Sequence, residues 1–224
     1  MPAPRVSARS PEEAPLHPSP LPAAMLLALG LFVVEPGTAT ATAPPQSKPT
    51  AKTDAKTDSS VRNAVVIEGD DHLFMVAAPA GWVVDDTSGM GSRIRCVLYP
   101  KGQKWANAPT VMYVNPMHGN AIKERTVSAM IAEIEKEFRK RAPKGRVVDA
   151  GTLKTGAGKT ASVRHFSYDG GPLTEAVAYV PEEELLMLVV LSSRDSKGFQ
   201  ANLPAFKELV GTYAWVGSNK AFGR

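Results

Sequence analysis

The segment Leu185-Leu186-Met187-Leu188-Val189-Val190-Leu191 constrains the fold more than any other. Side chains alternate between the two sides of a strand. A run this apolar therefore has no wet side, and it belongs in the middle of a sheet covered on both faces. The segments around it read as further strands. Arg146 to Leu153, Thr160 to Tyr168 and Leu173 to Val180 are separated by Gly156-Ala157-Gly158, Asp169-Gly170-Gly171-Pro172 and Pro181-Glu182-Glu183-Glu184. These are hairpin-length loops.

Upstream, Val65-Val66-Ile67 and Leu73 to Ala78 flank the turn Asp70-Asp71 and read as a hairpin. Trp82-Val83-Val84, Ile94 to Tyr99 and Thr110 to Asn115 read as three more extended runs. The period then changes. Val127, Met130, Ile131, Ile134 and Phe138 follow steps of three and four, which makes one side of a helix apolar. Asn120 or Thr126 caps its start, and Pro143 and Gly145 end it. Glu135 with Arg139, and Glu137 with Arg141, are favourable pairs on its wet side. Phe199, Leu203, Phe206, Val210 and Tyr213 again step by four and three and mark a second helix. Pro204 argues for a short turn first, with the helix starting near Asn202. Strands, helix, strands, helix is an α+β order: a mostly antiparallel sheet with one helix on each face.

The N-terminal part has a different character. Leu21 to Val34 is apolar and is followed by small residues from Gly37 to Ala43. At 1.5 Å per residue its 14 or so residues make a helix of roughly 21 Å. The hydrocarbon core of a bilayer is about 30 Å thick, so the run is short for a span. It reads as a secretory signal over 1–41, cut after Ala41 within Ala39-Thr40-Ala41-Thr42-Ala43. A cut after Ala43 would leave Pro44 first. Arg5 and Arg9 precede the run, although Glu12 and Glu13 offset them, and a start at Met25 would leave no positive residue. No cysteine follows for lipid attachment. Residues 42–60, with Ala51-Lys52-Thr53-Asp54 repeated as Ala55-Lys56-Thr57-Asp58, lack apolar periodicity and read as a linker. The folded domain is expected over 61–216 and a tail over 217–224. The expectation is a periplasmic or secreted protein with no stable transmembrane anchor after processing.

Phe74, followed by Pro79-Ala80-Gly81-Trp82-Val83-Val84-Asp85, resembles the strand, Pro-x-Gly-Trp turn and second strand of the PsbP-like superfamily, which includes the DcrB-like periplasmic proteins. The closing helix with Phe206, Leu209 and Tyr213 is similar too. The resemblance covers about 61–216. It implies an α/β/α sandwich and a mostly non-enzymatic family of binding, assembly and accessory proteins. It carries no general catalytic motif.

The chemistry-bearing residues read mostly as structure. Gly156-Ala157-Gly158-Lys159-Thr160 resembles the end of a phosphate loop. However, Leu153 stands where the first glycine is needed, and a strand follows where a helix is needed. Cys96 stands alone, so it forms no internal disulfide, and it reads as a small core residue. His72, His118 and His165 lack metal-ligand spacing, and no metal or cofactor is expected. Ser192-Ser193-Arg194-Asp195 lacks the glycines of a nucleophile elbow, and Asp195 or Ser196 reads as a helix cap. The formal charge of +4 is modest. The cluster Arg139-Lys140-Arg141 has no stacking aromatics on its side, which argues against nucleic acid as a partner.

One polar-aromatic set is a candidate binding site: Trp105, Tyr113, Asn115, His118, Arg164 and His165. An Arg164 facing a pocket would clamp a carboxylate or phosphate. The set works only if its members converge. The expected function is a non-catalytic envelope binding or accessory domain whose partner is an envelope protein or a small ligand. The rivals are a small extracytoplasmic hydrolase with a site around Arg164 and His165, assembled from His165, Asp169 or Arg164, and a purely structural envelope protein.

Overall fold

The computed structural model describes residues 63–117, 126–168, 171, 173–183 and 185–218. The leader, the linker, His118, Asn120 and Asp169 lie outside the described residues. The architecture is α+β and is dominated by antiparallel sheets.

The strands in chain order are β1 (Ala64–Glu68), β2 (His72–Ala77), β3 (Trp82–Asp85), β4 (Cys96–Pro100) and β5 (Thr110–Met117). Helix α1 (Val127–Arg141) follows, then β6 (Arg146–Lys154), β7 (Thr160–Ser167), β8 (Thr174–Pro181) and β9 (Leu186–Ser193). Helix α2 (Ser196–Thr212) and β10 (Ala214–Ser218) close the chain. A seven-stranded sheet has the order β3-β4-β5-β9-β8-β7-β6, and a three-stranded sheet has the order β1-β2-β10. Every pairing is antiparallel.

The fully apolar strand β9 lies between β5 and β8, at the centre of the large sheet. Its alternation divides the interior in two. Met187, Val189 and Leu191 join a cluster with Cys96, Leu98 and Met112, with Phe199, Phe206, Leu209 and Val210 of α2, and with Ile67, Phe74 and Val76 of the small sheet. Leu186, Leu188 and Val190 join a second cluster with Val97, Tyr113 and Tyr179, and with Met130, Ile131, Ile134 and Phe138 of α1. Burying each large side chain contributes about 1.5–3 kcal/mol.

Local chemistry sets the boundaries. Thr126, not Asn120, caps α1: its Oγ1 accepts from the Ala129 N–H at 3.2 Å. Asp195 caps α2 by accepting from the Gly198 N–H at 2.5 Å. This cap corrects the expected start near Asn202. The helix begins at Ser196 and continues through Pro204. The cap and the buried Phe199 hold the first turns, which outweighs the one hydrogen bond that Pro204 cannot donate. On the wet side of α1, Arg139 pairs with Glu135 at 3.1 Å. Glu137 pairs with Lys140 at 2.5 Å, and the charge of Arg141, its expected partner, also favours its ionised form.

The Pro-x-Gly-Trp turn joins the two sheets. Trp82 N–H donates to the Pro79 carbonyl at 3.0 Å, and Gly81 takes φ +82°, the left-handed position that a turn of this kind gives to glycine. At the C-terminus, β10 runs two residues into the expected tail, because Gly217 and Ser218 pair with Leu73 and His72. Among the described residues, no helix is long and apolar enough to cross a membrane.

Candidate functional site

Strand parity separates the expected site residues. Tyr113 and Trp105 are buried in the α1-side cluster, with ring centroids 6.3 Å apart and nearly perpendicular. Asn115 lies two residues beyond Tyr113 on the same side of β5, half-buried. Arg164 also faces this side. Its Nε donates to Glu135 Oε1 of α1 at 3.0 Å, and its Nη1 reaches Asp149 Oδ1 at 2.8 Å and the Val163 carbonyl at 3.0 Å. His165 projects to the opposite side, where its ring meets Phe199 of α2 edge-on at 5.2 Å. Burial, and secondarily the charge of Lys207, hold its pKa below the ordinary imidazole value.

The six residues therefore do not converge as a set. Trp105, Tyr113, Asn115 and Arg164 share one side of the sheet, His165 takes the other, and His118 lies outside the described residues. Adjacent strand residues must diverge, and this separates Arg164 from His165 as acid–base partners. Arg164 is also not an open clamp, because two carboxylates and a carbonyl occupy its guanidinium.

The remaining candidates resolve as structure. Gly156 to Lys159 lie in the β6–β7 hairpin turn, and Thr160 opens β7. Lys159 N–H donates to Thr155 Oγ1 at 3.1 Å, and Gly156 N–H donates to the Tyr213 carbonyl at 2.9 Å. The Lys159 ammonium pairs with Glu182, whose other oxygen accepts the Tyr213 hydroxyl at 3.0 Å. Burial raises the Glu182 pKa despite Lys159, and burial with Glu182 beside it raises that of Tyr213. Cys96 is fully buried. Burial, then the charge of Asp86, push its thiol up to about 12, which is the reverse of an activated nucleophile.

A cluster that the sequence reading did not assemble lies on the α1 side. Glu175 of β8 is completely buried. The Tyr168 hydroxyl donates to its Oε2 at 2.8 Å. Among the described residues, its Oε1 and the Tyr179 hydroxyl have no hydrogen-bond partner. Burial pushes the Glu175 carboxyl up to about 7, against the lowering effects of Tyr168 and Ser192. Burial, then Glu175, raise the pKa of Tyr113 and Tyr168. For Tyr179 the causes run burial, Glu135, Glu175. The signal was present in sequence: an acid stands in an otherwise apolar strand at the same parity as Val177 and Tyr179. Among the described residues, no group of three or more His, Cys, Asp or Glu forms a metal cage.

No family model and no curated protein matches the chain. Among solved structures, the chain is similar to PsbP (CyanoP) from Synechocystis sp. PCC 6803 at 10% identity and TM-score 0.45, covering 73% of this chain and 98% of that one. It is also similar to LpqN of Mycobacterium tuberculosis, a protein involved in cell envelope biogenesis, at 13% identity and TM-score 0.45, covering 69% and 91%.

Proposed function

We propose that the chain is an exported, non-catalytic binding or accessory domain of the cell envelope, built as a PsbP-like α/β/α sandwich. Its partner is an envelope protein or a small ligand. The observation that carries the reading is the division of the chain. Both described cores draw on residues between Ile67 and Tyr213, so cutting after Ala41 removes no residue of either. A leader with a signal's composition then precedes a body that needs no disulfide. The split of β9 into one cluster with α1 and another with α2 supports the sandwich. The diversion of Arg164 to Glu135 and Asp149, and of His165 to the other side, speaks against the hydrolase rival.

The test has two arms. Full-length chain with a C-terminal tag, expressed in a bacterial host, should appear in the extracytoplasmic fraction with Thr42 as its first residue. A cytosolic product retaining Met1 overturns the export half. The mature domain should also retain one stoichiometric partner from envelope extract. Turnover of ester or amide substrates that disappears in His165→Ala would overturn the non-catalytic half.

A further inference from the structure

We propose that the seating of α1 on the large sheet is controlled by protonation of Glu175, so that the helix is a pH-sensitive cover. The argument starts from what surrounds the acid. Ser192 of β9 lies directly across from Glu175, and Phe166 of β7 is its neighbour on the other side. Tyr168 bonds Glu175, and its ring stands edge-on to Phe138 of α1 at 5.0 Å. Phe138 meets Phe166 at 5.1 Å. The C-terminal turn of α1 is therefore linked to the acid through Tyr168, and packs on the Phe166 beside it.

The titratable and charged groups facing this region are few. Among the described residues, Tyr113 comes from β5, Arg164 from β7, Tyr168 from the position just after β7, Tyr179 from β8, Asp149 from β6 and Glu135 from α1. The phenols stay neutral. The cation among them, Arg164, is engaged by Glu135 and Asp149. An ionised Glu175 thus meets one phenol donor and one serine, with Oε1 uncompensated. Burying such a charge is costly, and the structure relieves it by admitting water.

What yields is the least-tied element. β8 is hydrogen-bonded along both edges, to β7 and to β9. The described ties of α1 to the sheet are side-chain contacts, through Met130, Ile131, Ile134 and Phe138 and through the Glu135–Arg164 pair. Loosening the helix exposes Glu175 without breaking a strand ladder.

Hydrogen exchange on the whole protein tests this. Corrected for intrinsic rates, α1 amides should open roughly tenfold more readily at about pH 8.5 than at about pH 5.5. Glu175→Gln should abolish the difference, while α2 amides should change little in either protein. The carboxyl carbon of Glu175, followed by NMR in the unmodified protein, should titrate near neutrality. This keeps the test decisive if the variant folds poorly. Titration in the ordinary carboxylate range overturns the proposal. So does titration near neutrality with α1 protection constant, or the same α1 response in Glu175→Gln.

Discussion

At the scale of single residues, burial decides which polar groups are chemistry and which are structure. Cys96 has full burial and a raised pKa, so it should resist thiol reagents at neutral pH in the native protein and react at once in denaturant. Rapid labelling without unfolding would contradict this. Lys159 acts on Glu182, whose side chain is fully enclosed. Lys159→Ala leaves that carboxyl with the Tyr213 hydroxyl alone, and should cost about 1–3 kcal/mol in urea denaturation. Adding Glu182→Gln, which keeps a hydrogen-bonding group for Tyr213, should recover part of the loss. Of the six expected site residues, chain order alone already separated Arg164 from His165, since neighbours on a strand point apart. The cluster around Glu175 was harder to read. Its members come from β5, β8, β9 and the residue after β7, and only the register of four strands brings them together.

At the scale of elements, boundaries follow caps more faithfully than they follow breakers. Proline inside a helix removes a donor, so Gln200 lacks the usual bond from residue 204. Because Pro204 is exposed and the helix continues through it, Pro204→Ala should stabilise the protein by about 1–3 kcal/mol, seen as a higher urea midpoint. Thr126→Ala removes the α1 cap and should cost about 1 kcal/mol. Gly81, at φ +82°, turns the chain from the small sheet to the large one, and Gly81→Ala should cost about 1–2 kcal/mol by the same measurement. The strands and α1 were legible because a period of 2 or 3.6 survives in a short window. The continuity of α2 was less legible, because a cap at Asp195 competes with Pro204 and packing of Phe199 settles the outcome. β10 was not legible at all. Its five residues carry little pattern, and they become a strand only by pairing with β2.

At the scale of the whole molecule, stability should have an optimum in pH. Burial favours the neutral form of Asp85, but bonds from Ser88, Tyr99 and Thr87 outweigh it and hold its carboxyl far below the ordinary range. A depressed carboxylate contributes stability above its unfolded pKa of about 3.9, and the contribution is lost as pH falls toward the folded value. Glu175 has the opposite sign. Its contribution is complete below the unfolded value of about 4.3 and is lost as pH rises through about 7. Denaturation midpoints should therefore peak between these limits. Glu175→Gln should flatten only the alkaline side, and Asp85→Asn only the acid side. A profile level from about pH 5 to 8 in the unmodified protein would contradict the Glu175 assignment.

The amino-acid sequence by itself determined the inventory: which segments extend, which segment coils as α1, where turns fall, and that Leu185–Leu191 must be covered on both sides. These properties depend on neighbours a few residues apart, so they are written locally. Only the tertiary structure decided the strand order, the addition of β10 to the small sheet, the capture of Arg164 by Glu135 and Asp149, and the enclosure of Glu175. Each of these depends on contacts between segments distant along the chain. Such contacts arise from register and packing of the whole body, and no short window of residues contains them.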